Sequence, residues 1–328
     1  MAAINFNPSD IGQNFVRWRK ELLSMPAFKF RDAFGGLFKI RTGIRYQEKV
    51  GHLDGDMQLG PYDPFRTDEE AAKITARTLQ VYLGSVVKQI DPNSAIQSIW
   101  DEYVAKGDSV KTIPFVKFVA AFFMQKLSEN LYNHVWDGVR NDSGTKTVDL
   151  CDGIETIIKK EIKAGSVSTD NGNLYAIEAI TSANAEDVFK DFYRHADKHL
   201  RSHAKHYLCC SHDEYLKYCD AYQSNHGALP YNQKYDQPIL EGSLGRCEIK
   251  VLDGVADNFL KLVPAGNFMF GTNIDGEETK MEICKSNKSH FLADLVVTMF
   301  AGYQIERIEK DSMFIGMPTE SITSIKNS

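Results

Sequence analysis

The chain has 328 residues, 43% of them hydrophobic and 25% charged, with a formal net charge of −6. That composition is ordinary for a soluble globular protein, and the length calls for two domains or one domain with large excursions. The acidic balance excludes a global attraction for nucleic acid, though not a local basic patch, and no apolar run approaches the ~20 residues of a membrane span.

The first residues, MAAINFNPSD, lack the basic-then-apolar order of a secretory signal. Gly12 to Met25 reads as a short amphipathic helix with Phe15, Trp18, Leu22 and Met25 on one face. It packs either on its own domain or on a neighbouring subunit. From Leu37 the pattern turns to period two: Ile40, Thr42, Ile44 and Tyr46 alternate with basic residues, which predicts a strand. Asp54-Gly55-Asp56 follows as a hairpin turn signal, with Met57, Leu59 and Tyr62 on the return side. A ribbon this poor in large aliphatics is marginal alone in water and needs a surface to lie against. Thr67 to Ala72 is a charged connector, and Lys73 to Asp91 reads as one more strand.

Asn93 to Val104 predicts a helix. After it, Ile113 to Val139 gives the longest helical pattern in the chain, with Phe115, Val119, Phe122, Leu127, Leu131 and Val135 as the main stripe. Val116, Ala120, Phe123 and Met124 form a second row. Cys151 to Lys163 is another amphipathic helix with Gly165 placed to end it. The second half is mixed. Helices are predicted for Ala185 to Leu200 and, with Ser211 as cap, for Asp213 to Tyr222. Strands are predicted at His206–Cys210, Cys247–Leu252, Phe259–Val263, Asn267–Thr272, Lys280–Cys284, Phe291–Ile305 and Met313–Met317. The Ser- and Thr-rich end from Pro318 reads as a loosely held tail.

The sequence advertises little chemistry. His195, His199, His203, His206, Cys209, Cys210 and His212 are the one cluster with metal-ligand residue types, but HADKHLRSH lacks the acid of an HExxH pair and is interleaved with Lys and Arg. A solvated helix end is the plainer reading. There is no GxSxG, no GxxxxGK and no GxGxxG. The six cysteines, Cys151, Cys209, Cys210, Cys219, Cys247 and Cys284, contain no CxxC pair and read as reduced thiols.

Four stretches taken together resemble the major capsid proteins of tailed phages, particularly those of Bacteroides-type phages and prophages. They are FKIRTGIRYQEKVGHLDGDMQLGPYDP, RTLQVYLGSVVKQIDP with SAIQSIWDEY, SHDEYLKYCDAYQSNHGALPYNQKYDQPILEGS, and VPAGNFMFGTNIDGEETKMEICKSNKSHFLADLVVTMFAGYQI. Their order and spacing, from Leu37 to Met317, carry the likeness. It implies an α+β subunit of the Hong Kong 97 type, with an N-terminal arm at 1–36, an extended β-hairpin loop at 37–72 and a peripheral domain at 73–164 with a spine helix at 113–139. It further implies an axial domain at 165–288, return strands at 289–317 and a flexible tail at 318–328.

The same resemblance implies a structural protein with no catalytic residue, metal or cofactor. It assembles with itself into hexamers and pentamers of an icosahedral head around double-stranded DNA held without sequence-specific binding. Separate scaffolding, portal and head-decoration proteins are expected, with the virion as location, assembly in the host bacterial cytoplasm and no membrane. Inter-subunit contacts are expected at Phe15, Trp18, Lys49, Asp54, Gly55 and Asp56. Some relatives crosslink a hairpin lysine to an asparagine; Lys49 is present, but no local motif identifies a partner, so the sequence assigns no crosslink. Encapsulin-like cargo shells share the fold and are the alternative within it. A metal-dependent hydrolase using His195 to His212 is the alternative from another class.

Overall fold

The computed structural model describes residues 34–54, 61–62, 73–90, 115–226, 239–273, 280–286 and 292–327. The expected helices at Gly12–Met25 and Asn93–Val104, and the residues Phe15, Trp18, Gly55 and Asp56, lie outside them. In chain order the elements are β1 (Phe38–Arg41), β2 (Gln47–Asp54), β3 (Lys73–Gln80), β4 (Tyr82–Ile90), α1 (Phe115–Asn133), α2 (Ile154–Ala164), β5 (Leu174–Ile177), α3 (Ala185–His195), α4 (Lys198–Ser202), β6 (His206–Cys210) and α5 (His212–His226). Then come β7 (Cys247–Val251), β8 (Leu260–Pro264), β9 (Phe268–Gly271), β10 (Lys280–Lys285), β11 (Ala293–Ile305), β12 (Phe314–Pro318) and α6 (Thr319–Asn327). The chain forms two compact units, each made of three stretches: 1–45, 81–153 and 270–302, then 46–80, 154–269 and 303–328.

The first unit is built on a sheet ordered β1-β9-β11-β10, with β4 also paired to β11. β4 and β10 both run antiparallel to β11, in registers that pair Val86 with Val297 and Met281 with Val297. Strand alternation puts Val86, Met281, Leu295 and Val297 on one face. There they pack with Ala120 and Met124 of α1, and with Phe123 and Leu127. The buried row of α1 is therefore Ala120, Met124, Ser128, Leu131 and on to Val135, while Phe122 is 52% exposed. Leu127, Leu131 and Val135 of the expected main stripe hold, whereas Phe122 is corrected to the open side. The row read as secondary carries Ala120, whose small side chain suits a helix lying close on a sheet.

α1 also stops at Asn133 rather than Val139. Gly138 and Gly153 meet backbone to backbone, with the Gly153 N–H donating to the Gly138 carbonyl at 2.8 Å. A Cβ on Gly153 would lie 2.4 Å from the Trp136 carbonyl oxygen, so only glycine fits. The Val139 N–H donates to the Val148 carbonyl at 2.9 Å. The chain leaves the helix in order to make this pairing.

The second unit holds a sheet ordered β5-β12-β8-β6-β7 and the separate pair β2-β3. β12 is parallel to β5, β6 is parallel to β7, and β8 runs antiparallel to both β12 and β6. Phe189, Phe192, Leu200 and Tyr218 from the helices pack with Leu208, Leu260 and Leu262 from the strands. Lys261 points to the opposite face of β8 and is completely buried. Its Nζ sits 2.7 Å from Glu155 Oε1 at the start of α2, donates to the Phe259 carbonyl at 3.0 Å, and lies 4.1 Å from the Phe259 ring centre. The same carboxylate oxygen accepts from the Ala256 N–H.

Two expectations fail locally. Ala185 to Leu200 is two helices, because Ala196 and Asp197 are extended and the Asp197 carboxylate accepts the His199 N–H to cap α4. The tail from Pro318 is not loose. Thr319–Asn327 forms a helix that buries Ile322, an anchor that the surrounding Ser and Thr residues disguise.

Leu131→Asp is expected to destabilise the first unit by several kcal/mol, because it places an unpaired charge in a packed site. Phe122→Asp, on the open side of the same helix, is expected to cost about 1 kcal/mol or less. Urea unfolding of the two variants reads the difference, and equal losses would contradict the orientation of α1. Lys261→Met strands Glu155 and is expected to cost about 3–5 kcal/mol, whereas Glu155→Leu with Lys261→Met should recover most of that. A double variant as unstable as the single one would show that the pair is not the source of the cost.

Candidate functional site

Strand β2 pairs antiparallel with β3, from Gln47 opposite Gln80 to Asp54 opposite Lys73. The connection between them thus spans residues 55–72, longer than the Asp-Gly hairpin turn read from the sequence. The return strand comes from Lys73–Gln80, not from Met57 to Tyr62. The single strand expected over Lys73 to Asp91 is divided at Val81, so that β3 serves this hairpin and β4 the sheet of the first unit.

The hairpin has two unlike faces. Glu48, Val50, Arg77 and Leu79 share one of them, and Val50 and Leu79 are buried. Arg77 reaches Glu161 of α2 at 2.5 Å and Gln304 at 3.2 Å. Gln304 also donates to the Thr78 carbonyl at 2.8 Å. The other face is polar and open, with Lys49 exposed opposite Thr78. Asp54 closes the ladder opposite Lys73, and Tyr62, further along the connection, is fully open to solvent. The structure therefore puts Lys49 and Asp54 on one ribbon with a fixed base. The Arg77 anchor was beyond sequence reasoning, because its partner Glu161 is 84 residues away.

The histidine- and cysteine-rich stretch does not converge. His195 stacks on Tyr175 at 4.4 Å and lies 3.3 Å from the Asp191 carboxylate. His206 is buried, with Nε2 3.2 Å from the Tyr193 hydroxyl. Cys209 and Cys210 are buried at successive positions of β6, and so point to opposite faces. Burial pushes the Cys209 and Cys151 thiols up to about 12, which leaves them unreactive. Among the described residues no group of three or more His, Cys, Asp or Glu side chains is placed to hold a metal ion.

A charged clasp stands at the end of α5. Glu186, buried in the first turn of α3, accepts hydrogen bonds from Lys190 at 2.5 Å, Asn225 at 2.9 Å and His226 at 2.9 Å. Lys190 and the Tyr222 hydroxyl both reach Glu241, at 3.4 and 2.6 Å. Residues on both sides of 227–238 are thereby tied to α3. Burial alone would raise the pKa of Glu186, but the bonds from Lys190, Asn225 and His226 outweigh it and hold the carboxyl at about 2. Its stabilising contribution is complete above the ordinary carboxylate value near 4.5. It falls as pH drops through that value and is gone near 2, a loss on the order of 3 kcal/mol. Unfolding midpoints measured at pH 6, 4.5 and 3 should fall with this slope, and Glu186→Gln should flatten it. An identical slope in the variant would contradict the assignment.

Comparison with protein-family models gives no match, and neither does comparison with curated protein sequences. Comparison with solved structures does. The chain superposes on a subunit of the satellite phage P4 procapsid with a TM-score of 0.57 and 9% identity, covering 89% of this chain and 97% of that one. It matches the capsid of the native GTA particle with a TM-score of 0.58 and 9% identity, over 88% and 90% of the two chains. It matches a chain of Mycobacterium phage Adephagia with a TM-score of 0.51 and 13% identity, over 86% and 88%. At such identities the likeness is one of fold, and it runs nearly end to end: the chain has the α+β fold of phage capsid subunits.

Proposed function

We propose that this chain is the major capsid protein of a tailed phage, a structural subunit that assembles with itself into a closed head. The observation that carries the proposal is coverage. The likeness takes in almost the whole of this chain and almost the whole of the matched chains. The physical requirement is self-complementary surface arranged in closed symmetry, which needs no reactive group.

In this reading the hairpin is the extended loop and includes β3, so it spans 47–80 rather than ending at residue 72. Lys49 and Asp54 belong to its contact surface. Phe15, Trp18, Gly55 and Asp56 remain proposed contacts on the arm and at the loop tip. The first unit, with α1 as its spine, corresponds to the peripheral domain, and the second to the axial domain. Hexamers and pentamers of the chain would enclose double-stranded DNA without reading its sequence, and scaffolding, portal and decoration proteins would be separate chains. The Bacteroides-type grouping rests on the sequence motifs alone.

Sedimentation and negative-stain microscopy of the purified chain, alone and with its scaffold, test the proposal: closed particles are expected. A folded monomer under every assembly condition would contradict it. Arg77→Ala removes the anchor at the base of the hairpin, where the Glu161 pair is mostly shielded from solvent. The variant is expected to keep its circular dichroism spectrum and lose at least ten-fold in particle yield. Wild-type yield would remove the hairpin from the assembly mechanism.

A further inference from the structure

Two exposed features of the second unit are used neither by its core nor by the hairpin. The first is the turn ahead of β7. It is closed by the Leu240 N–H donating to the Cys247 carbonyl at 3.0 Å and by the Ser243 hydroxyl donating to the Leu240 carbonyl at 2.6 Å. Leu244 stands in this turn with φ of 55° and 88% of its surface exposed. A leucine in left-handed backbone is strained, and a leucine so exposed has no packing to offset that strain.

Arg246, two residues on, is exposed, and Arg201 ends the neighbouring α4. Both arginines are near enough to Tyr193 for their charges to act on its hydroxyl. Neither has a carboxylate partner among the described residues, and Arg201 Nε is buried without a hydrogen bond. Close by, Lys205 and Lys250 share the single carboxylate of Glu248, at 3.0 and 2.6 Å. This corner carries surplus positive charge in a chain whose net charge is −6.

The second feature is the outer stripe of α5. Asp213, Leu216 and Asp220 are spaced three and four apart and share a helix face. Leu216 is 48% exposed, and neither aspartate has an ion-pair or hydrogen-bond partner among the described residues. One feature is an apolar knob beside unpaired arginines; the other is an exposed leucine between unpaired aspartates.

Within one copy the two features do not pair: α5 returns toward the turn, where the Tyr222 hydroxyl meets Glu241, but neither aspartate reaches an arginine among the described residues. β6 and β7 are parallel; Arg246 precedes the first residue of β7, while α5 begins after the last residue of β6. Arg246 and Asp213 therefore lie towards opposite ends of strands that are ~17 Å long. We propose that the Leu244–Arg246–Arg201 corner of one copy docks on the Asp213–Leu216–Asp220 stripe of a second copy, head to tail. Such a heterologous contact closes into a ring when the rotation allows it. The inference rests on the shell reading and assigns one of its contacts.

The test uses the full chain and three variants, with folding followed by circular dichroism and association by sedimentation velocity. Arg201→Glu with Arg246→Glu makes both faces acidic, and Asp213→Lys with Asp220→Lys makes both basic. Each double variant alone is expected to lose at least ten-fold in association, and an equimolar mixture should regain it, since alternating copies match at every junction. Alternation suits rings of six and forbids rings of five. Leu244→Gly relieves the backbone strain and removes the knob, so it should raise the unfolding midpoint of the monomer while weakening association. The inference is overturned if either charge variant associates like wild type or if the folded mixture stays unassociated. It is also overturned if the arginine variant loses only binding to a DNA duplex. A wild-type chain that never associates overturns this contact and the shell reading together. Wild-type shells with unaffected variants overturn the contact alone.

Discussion

Strand β11 imposes the constraint on which the first unit depends. Within its thirteen residues, Ala293–Ala301 pair with β4, about two hundred residues earlier in the sequence, and Ala293–Thr298 pair with β10, its near neighbour. Without β4 the face that receives Ala120 and Met124 is incomplete, and α1 has nowhere to bury its row. The second unit repeats the arrangement, since β12 at the end of the chain runs between β5 and β8. Neither unit is a continuous segment, so neither closes until distant stretches meet. Pairings of such long separation carry a large loop-closure cost and favour slow folding.

Much of this was legible locally. The run His206–Cys210 reads as a fully buried strand and is one. Ser211 reads as a cap, and its hydroxyl accepts the Glu214 N–H while Glu214 accepts the Ser211 N–H in return. Gly165 reads as a helix end and takes φ of 81° after α2. What failed was what depends on distant partners. Asp54-Gly55 is a strong short-range turn signal, yet the partner of β2 begins at Lys73. The division at Val81 is invisible because residues on both sides favour strand equally. The rotation of α1 is set by how closely the sheet approaches it, which no periodicity count contains. The proposed contacts divide the same way: Lys49 and Asp54 are proposed from the hairpin pattern, whereas Arg77, Leu244 and the α5 stripe emerge only from burial and pairing.

The chemistry of the second unit is directed at rigidity. Lys261 and Glu155 are held by additional hydrogen bonds, the condition under which a buried pair is tolerated. The buried thiols are kept protonated by their surroundings, and His195 to His212 is spread over three helices and a strand. Against that rigid body stand a polar ribbon fixed at its base, an exposed leucine in strained backbone and charges left unpaired. The proposed contacts draw on these features.

Under the proposed shell function, the open face of the hairpin 47–80 lies against a neighbouring copy while its other face stays anchored on its own subunit through Arg77. A cryo-electron microscopy reconstruction of assembled particles tests it most directly. A closed shell is expected, with density for the open face of β2 and β3, including Lys49, against an adjacent copy. A hairpin contacting only its own subunit, or particles without closed symmetry, would contradict it.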